Sequence, residues 1–247
     1  MNWSGRSVWI IGASTGIGAA LAQQLAQQGC QVTISARSAD ALDAVATSSM
    51  RVRPLDMTNQ ALLRATAAEL QAAGELDIVV ISAGYWKQDQ GLEFDLEQFQ
   101  RHLDVNLSGV GRVIDAVLPF MKQNGQGRVA VLSSVAGYRG MPGSLAYGAT
   151  KAAQINLFEA LRTTFRGTGI FFQTVSPGFV DTPMTSTNTF PMPFIIDADK
   201  AATYIVRGLL TSKPELVFPW QMALVMRIAK LVPQRLWVRI VGRRAQS

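Results

Sequence analysis

The hydrophobic positions of this chain fall into two alternating patterns. Short β-branched runs at residues 8–11, 31–35, 51–55, 78–82, 129–132 and 170–175, with a weaker one at 216–218, read as strands. Between them lie longer segments with helical spacing, at residues 18–28, 39–46, 60–73, 96–122, 149–166 and 200–210. Strands that alternate with helices of this length predict crossover connections, and hence an α/β fold with a parallel sheet of about seven strands and helices on both faces. Glutamine and alanine dominate several of the helices, which raises helix propensity but narrows the apolar face. One stretch breaks the pattern. Residues 182–196 contain Pro183, Pro191 and Pro193, and read as a long irregular loop, either a lid or a disordered segment.

At 247 residues, 48% hydrophobic and 16% charged, the chain can build one substantial core, and neither a repeat nor a linker-like stretch divides it. Met1-Asn2-Trp3-Ser4-Gly5-Arg6 leads into the first apolar run without the marks of a secretory signal, and Cys30 has no intrachain partner. A small, partly buried thiol in a reducing cytoplasm is the expectation. His102 is the only histidine, which excludes a histidine cluster for metal and points to a surface residue. The net charge of +6 is unevenly placed. Lys213, Arg227, Lys230, Arg235, Arg239, Arg243 and Arg244 face one acid, Glu215, and the rest of the chain is neutral. A nucleic-acid partner would need a distributed basic surface, so none is expected.

Two clusters carry chemistry. Tyr147 and Lys151 stand four residues apart in Ala146-Tyr147-Gly148-Ala149-Thr150-Lys151, and on a helix such residues share a face. A phenol with an ordinary pKa of about 10 carries protons poorly at neutral pH, and a neighbouring ammonium lowers that value. Tyr147 therefore reads as a general acid and base, with the hydroxyl of Ser134, thirteen residues upstream, beside it. The second cluster is Val8-Trp9-Ile10-Ile11 running into Gly12-Ala13-Ser14-Thr15-Gly16-Ile17-Gly18 and then a helix. A strand, a glycine-rich turn and a helix start seat a pyrophosphate on the helix N-terminus, glycine removing Cβ where backbone must come close. The spacing Gly-x-x-x-Gly-x-Gly departs from the usual dinucleotide fingerprint.

The two clusters together make the chain resemble the short-chain dehydrogenase/reductase family over about residues 6–218. The resemblance implies a doubly wound, Rossmann-type sheet and carbonyl–alcohol oxidoreduction with a nicotinamide cofactor. Gly12, Gly16 and Gly18 fall on the family's cofactor glycines, with Ser14, Thr15 and Ile17 among them. Ser134, Tyr147 and Lys151 fall on its catalytic serine, tyrosine and lysine, the lysine also binding the nicotinamide ribose. The thirteen-residue offset favours Ser134 over the adjacent Ser133. Asn106, in Asp104-Val105-Asn106-Leu107-Ser108-Gly109, falls on the catalytic asparagine, which implies a kinked helix and a water linking Lys151 to solvent. Pro177-Gly178-Phe179-Val180-Asp181-Thr182 matches the turn that anchors the nicotinamide carboxamide, and Val180 belongs to the cofactor set with it. Asp56, beside Met57, fits the position that meets the adenine amino group. Ala83 and Gly84 continue the turn after the fourth strand. Ser82 stands where the family usually has asparagine, which implies some local loosening. Three residues separate Tyr147 from Lys151 where enoyl reductases of the superfamily have six, so reduction of a carbon–carbon double bond is disfavoured.

The end of the second strand decides the coenzyme. An acid there would grip the 2′-hydroxyl of NAD(H), but the chain has Ala36 followed by Arg37 and Ser38, which suits a 2′-phosphate. NADP(H) is therefore expected over NAD(H). Tyr85, Trp86, residues 136–145 and the loop at 182–196 should wall the substrate pocket. Met141, Met184, Phe190, Met192 and Phe194 suit a lipophilic carbonyl or alcohol, or else packing on the core or a subunit contact. Residues 219–247 form a basic extension: an apolar helix over 220–232, then a second begun by Pro233 with Arg235, Arg239 and Arg243 on one stripe. Its apolar faces fit the subunit's own core, a second copy, or the surface of an anionic membrane; the segment is too interrupted to span one. A homodimer or homotetramer paired through residues 96–122 and 149–166 is expected from the family. Two alternatives stay open: a 3-oxoacyl-carrier-protein reductase, whose basic tail would dock an acidic carrier, and a non-catalytic cofactor-binding regulator.

Overall fold

The computed structural model describes residues 3–89 and 93–242. Its strands are β1 (Ser7–Ile11), β2 (Gln31–Ser35), β3 (Met50–Val52), β4 (Ile78–Ile81), β5 (Gly127–Leu132), β6 (Ile170–Pro177), β7 (Val180–Asp181), β8 (Ile196–Asp197) and β9 (Glu215–Phe218). Seven of them form one parallel sheet in the order β3-β2-β1-β4-β5-β6-β9, and β7 pairs with β8 alone. The strand expected at 51–55 runs from Met50 to Val52, though the N–H groups of Arg53 and Leu55 still donate to the Ile34 and Ala36 carbonyls at 2.9 Å. Pro54, which has no N–H, falls between them on the sheet edge. The β7–β8 pair, two residues a side, was not foreseen; it closes the two ends of the irregular 182–196 stretch.

The helices are α1 (Gly16–Gln27), α2 (Ala39–Asp43), α3 (Gln60–Ala72), α4 (Leu96–Leu103), α5 (Gly109–Asn124), α6 (Leu145–Thr164), α7 (Ala198–Leu209), α8 (Trp220–Leu231) and α9 (Gln234–Gly242). The strand at β1 shows why both faces are covered. All five residues are buried: Val8 and Ile10 pack with Leu21, Leu25 and Ile205 of α1 and α7, while Trp9 and Ile11 pack with Leu63, Val113 and Phe158 of α3, α5 and α6. A strand buried on both sides reads as a continuous apolar run, which is what a parallel sheet requires. From β1 the chain winds outward to β2 and β3, then returns to place β4 on β1's other side. That reversal opens a crevice at the carboxyl ends of β1 and β4.

The single helix expected at 96–122 is two. A π-helical turn at Asp104–Ser108 separates α4 from α5, and Asn106 lies within it, fully buried. Inserted π turns are frequent at functional sites because they turn a side chain out of the regular helical face.

Candidate active site

The crevice begins where β1 ends. Gly12 has φ +93, and a Cβ there would lie 2.3 Å from the backbone nitrogen of Ala83, so the turns after β1 and β4 touch. One helical turn later, a Cβ on Gly18 would lie 2.1 Å from the carbonyl oxygen of Gly12. These two contacts draw the N-terminus of α1 onto the sheet. Thr15, at the N-cap, makes no side-chain cap, and no acid occupies the helix's first turn. The orphan N–H groups and positive end of the helix dipole thus remain available to an anion.

A cavity of about 680 Å³ opens there, lined by Gly12, Ser14, Thr15, Gly16 and Ile17 beside the N-terminus of α1. Of the other residues expected at the site, Arg37, Ser38, Asp56, Met57, Ala83 and Gly84 line it further along. Ser134, Tyr147, Lys151, Pro177, Gly178, Val180 and Thr182 line its other end. Gly18 and Asn106 do not reach the cavity and act from behind it. Asn106 Oδ1 accepts from the N–H of Tyr85 at 2.7 Å, and its Nδ2 donates to the Tyr85 carbonyl at 2.9 Å and to Thr150 Oγ1 at 3.2 Å. The π turn therefore holds the loop that carries Tyr85 and Trp86.

The i, i+4 pair sits in α6 as the spacing required. Lys151 is buried, its Nζ 5.3 Å from the centroid of the Tyr147 ring, and it donates to the Leu132 carbonyl at 2.8 Å and to Gln154 Oε1 at 3.3 Å. Burial with neutral acceptors lowers the Lys151 pKa to about 7. Burial also raises the Tyr147 phenol to about 12, against the hydrogen bond from Ser134, which pulls it down. Desolvation, opposed only by the Ser134 hydrogen bond, thus sets the direction for the phenol, which lies above its ordinary value rather than nearer neutrality. Tyr147 holds its proton across the ordinary pH range.

The neighbouring hydroxyls divide their work. Ser133 Oγ is buried and donates to the Lys151 carbonyl at 3.0 Å, a tie between β5 and α6. Ser134 lies at the cavity, where its Oγ accepts from the N–H of Ala136 at 3.1 Å. Asp56 Oδ1 is held by the N–H and hydroxyl of Thr58 at 2.8 and 2.9 Å. Arg37 is exposed at the cavity's edge, and among the described residues no carboxylate pairs with it. The tie between β4 and β1 at Ser82 runs through main chain, its N–H donating to Ile11 at 2.8 Å.

Four residues beyond the expected set matter. Gln154 is fully buried, and its Nε2 donates to the Asn106 carbonyl at 2.5 Å while Oε1 faces Lys151, so one amide joins the π turn to the lysine. Arg101 lines the cavity, its guanidinium 4.4 Å from the Tyr85 ring centroid. Thr185 holds the chain just after β7, donating to Val180 O at 2.6 Å and accepting from Thr182 N at 3.1 Å. His102, expected on the surface, is completely buried. Its Nδ1 lies 2.8 Å from the Gln98 carbonyl, Nε2 accepts from Lys87 N at 3.4 Å, and its ring packs edge-on to Tyr85. Burial holds its pKa below the ordinary value.

Trp86 and residues 136–145, expected in the pocket wall, do not line the cavity; Trp86 packs instead on Tyr147. The Trp86 ring lies edge-on at 4.8 Å, and its Nε1 donates to Asn188 Oδ1 at 2.9 Å, pinning the 182–196 loop to the loop after β4. Met184 lines the cavity and Phe190 packs on Phe179 at 5.9 Å, while Phe194 is exposed. The apolar residues of this loop thus split between the site and the surface. As a donor set, a Cβ-free turn at a helix N-terminus, hydroxyls at Ser14 and Thr15, a carboxylate at Asp56 and the Tyr147–Lys151 pair fit a dinucleotide.

Comparison with known proteins agrees with this geometry. A family model described as short chain dehydrogenase matches residues 6–191. An uncharacterized oxidoreductase of Myxococcus xanthus is 36% identical over 240 residues, covering 94% of each chain. A Sphingomonas protein named 2-dehydro-3-deoxy-L-rhamnonate dehydrogenase (NAD(+)) is 33% identical over 187 residues, 74% of this chain and 75% of that one. The crystal structure of a Burkholderia cenocepacia short chain dehydrogenase in complex with NADP superposes with a TM-score of 0.86 at 22% identity, covering 98% and 99% of the two chains.

Proposed function

The chain belongs to the short chain dehydrogenase family and is an oxidoreductase; on that premise we propose that it uses NADP(H) to interconvert a lipophilic carbonyl compound and its secondary alcohol. The observation that carries this is the convergence of Ser134, Tyr147 and Lys151 on the same cavity as the Cβ-free turn at the start of α1. A nicotinamide coenzyme held by Gly12, Gly16, Lys151 and Thr182 would supply or take up the hydride. The chain's own residues handle the oxygen. Ser134 hydrogen-bonds it and fixes its direction, and the Tyr147 phenol, kept protonated by burial, donates its proton in the reducing direction. Lys151 returns charge and proton from beneath, with Gln154 linking it to the Asn106 carbonyl.

The coenzyme choice rests on this chain alone, since the Sphingomonas relative's name carries NAD(+) and the Burkholderia structure holds NADP. Arg37, unpaired by any carboxylate among the described residues and at the cavity's edge, supports the 2′-phosphate. Met184 on the cavity wall, beside Val105, Leu132 and Val180, supports a lipophilic substrate. Assembly of two or four copies through α4–α5 and α6, in the cytoplasm, completes the proposal; the buried Cys30 thiol, raised to about 11 by burial, is chemically quiet in such a setting. The test is a panel of carbonyl compounds incubated with purified protein while NADPH absorbance is followed. Turnover of apolar ketones or aldehydes supports the reading, and turnover of carrier-linked 3-oxoacyl groups alone replaces it. No turnover of any carbonyl, with tight NADPH binding, would favour the regulator.

A further inference from the structure

The last two helices present a surface that neither the core nor the catalytic proposal uses. α8 is apolar almost all round. Met222, Met226 and Ala229 are buried against Val135, with Tyr138 and Phe179 beside them. On the other side Trp220, Leu224, Ile228 and Leu231 recur at i, i+4, i+8 and i+11, forming one stripe that is 51–83% exposed. Val225 lies next to it, also exposed. α9 has no buried residue, and its Leu236, Val238 and Ile240 are 48–59% exposed. A helix this apolar normally has both sides covered, and a cluster of this size marks an interaction surface rather than scattered exposure.

Charge says what covers it. Arg227, Arg235 and Arg239 stand among these residues, and no carboxylate pairs with them among the described residues. From Trp220 onward the sequence contains no acid at all. Arg243 and Arg244 lie outside the described residues. Two copies meeting through this face about a two-fold axis would set arginines against arginines, with nothing to neutralise them. The assembly proposed above uses α4–α5 and α6 and leaves α8 and α9 free. An anionic bilayer meets both demands at once, taking the apolar stripe at the acyl boundary and the guanidinium groups at its headgroups.

We propose that α8 and α9 dock the protein on an anionic lipid surface. The docking is peripheral: α8 has 12 residues, about 18 Å of helix, against a hydrocarbon core of about 30 Å, and no helix among the described residues is long and apolar enough to cross a membrane. The docking face is joined to the cavity. A Cβ on Gly178, in the cavity wall, would lie 2.8 Å from Met222 Cγ of α8. Trp237 Nε1 of α9 donates to the Gly140 carbonyl at 2.8 Å, and Arg139 donates to Val232 O at 3.0 Å, so the segment following Ser134 carries the helices. A lipid-dissolved carbonyl compound would thus be held near the site; that corollary rests on the proposed activity, whereas docking itself does not.

The test is flotation of the full chain with vesicles of phosphatidylcholine alone and of phosphatidylcholine mixed with phosphatidylglycerol. The expected result is binding to the mixed vesicles only, weakened by salt as screening requires. Neutralising two exposed arginines, Arg235→Gln with Arg239→Gln, should weaken it roughly thirtyfold. Leu224→Ser with Ile228→Ser should weaken it by more than about tenfold. Circular dichroism should match the parent in both variants, which separates lost docking from lost fold. Absence of flotation on either vesicle overturns the proposal, as does equal binding by the parent and the arginine variant. So does sedimentation velocity showing an oligomer that Leu224→Ser with Ile228→Ser dissolves, since a second copy would then be the cover. Flotation reads lipid binding whether or not the protein turns over any carbonyl.

Discussion

Gln154→Leu removes one amide and tests how Lys151 is held. The wild-type side chain is fully buried, donating to the Asn106 carbonyl at 2.5 Å and accepting from Lys151 Nζ at 3.3 Å. Leucine fills similar space, so the cavity left behind is small, but two polar groups lose a partner. A hydrogen bond to a charged group contributes ~1.5–3 kcal/mol. At 3.3 Å the bond is long for one assisted by charge, which puts it at the low end, about 1.5 kcal/mol, or roughly tenfold in the proton affinity of Nζ. Lys151, already lowered to about 7 by burial, keeps only the Leu132 carbonyl and loses its proton at still lower pH. The assay is kcat/KM for carbonyl reduction as a function of pH, with NADPH affinity measured alongside. The alkaline limb should move to lower pH by about the same tenfold in proton concentration, and Gln154→Glu, which gives the ammonium a charged acceptor, should move it to higher pH. A merely structural role for Gln154 would lower stability and leave the limb where it was, and that result would refute the reasoning.

Three further outcomes follow from other parts of the molecule. Arg37→Ala should weaken NADPH roughly ten- to a hundredfold, the worth of a charge-assisted contact, and leave NADH nearly unchanged by fluorescence titration; equal losses for both coenzymes would contradict the phosphate contact. Gly18→Ala forces a Cβ to within 2.1 Å of the Gly12 carbonyl oxygen. Backbone must shift to admit it, at ~1–3 kcal/mol, and calorimetry should show the melting temperature lowered by roughly 2–10 °C with coenzyme affinity reduced. His102 is held neutral by burial, so the unfolded chain binds a proton that the folded one resists. Its stability is therefore complete above the ordinary histidine value of about 6.5 and falls as pH drops below it. In His102→Gln that part of the acid loss, followed by chemical denaturation, should be absent.

The sheet was legible because a parallel strand buried on both faces leaves a continuous apolar run, as in β1 and β4, while β2 and β6 showed through β-branched and aromatic residues interleaved with polar ones. The positions of Tyr147 and Lys151 were legible because helical periodicity alone puts them on one face. What was hidden depends on partners distant in sequence. Gln154 reads as one more polar residue in an alanine-rich helix until the π turn brings the Asn106 carbonyl to it. His102 lies in α4 among Glu97, Gln98, Gln100 and Arg101, a composition that reads as a solvated helix. Only the fold shows that its own face of that helix is covered by the loop after β4. The π turn leaves no trace in the hydrophobic pattern, since one extra residue in a turn barely disturbs the spacing. The direction in which burial moves Tyr147 was also hidden: sequence gives the neighbouring cation but not the desolvation that raises the phenol. In α8 and α9 the apolar and basic residues were plain, but which of them face the core is a matter of tertiary packing.

The central claim is that the Tyr147 phenol delivers the proton. Tyr147→Phe keeps the ring that packs against Trp86 and removes only the hydroxyl. Single-turnover NADPH oxidation with a saturating carbonyl substrate measures the step directly. The expected result is a loss of about 10²–10⁴-fold in rate with NADPH binding intact; a variant that reduces the substrate within about tenfold of the parent rate, too small a loss for a missing general acid, would contradict it.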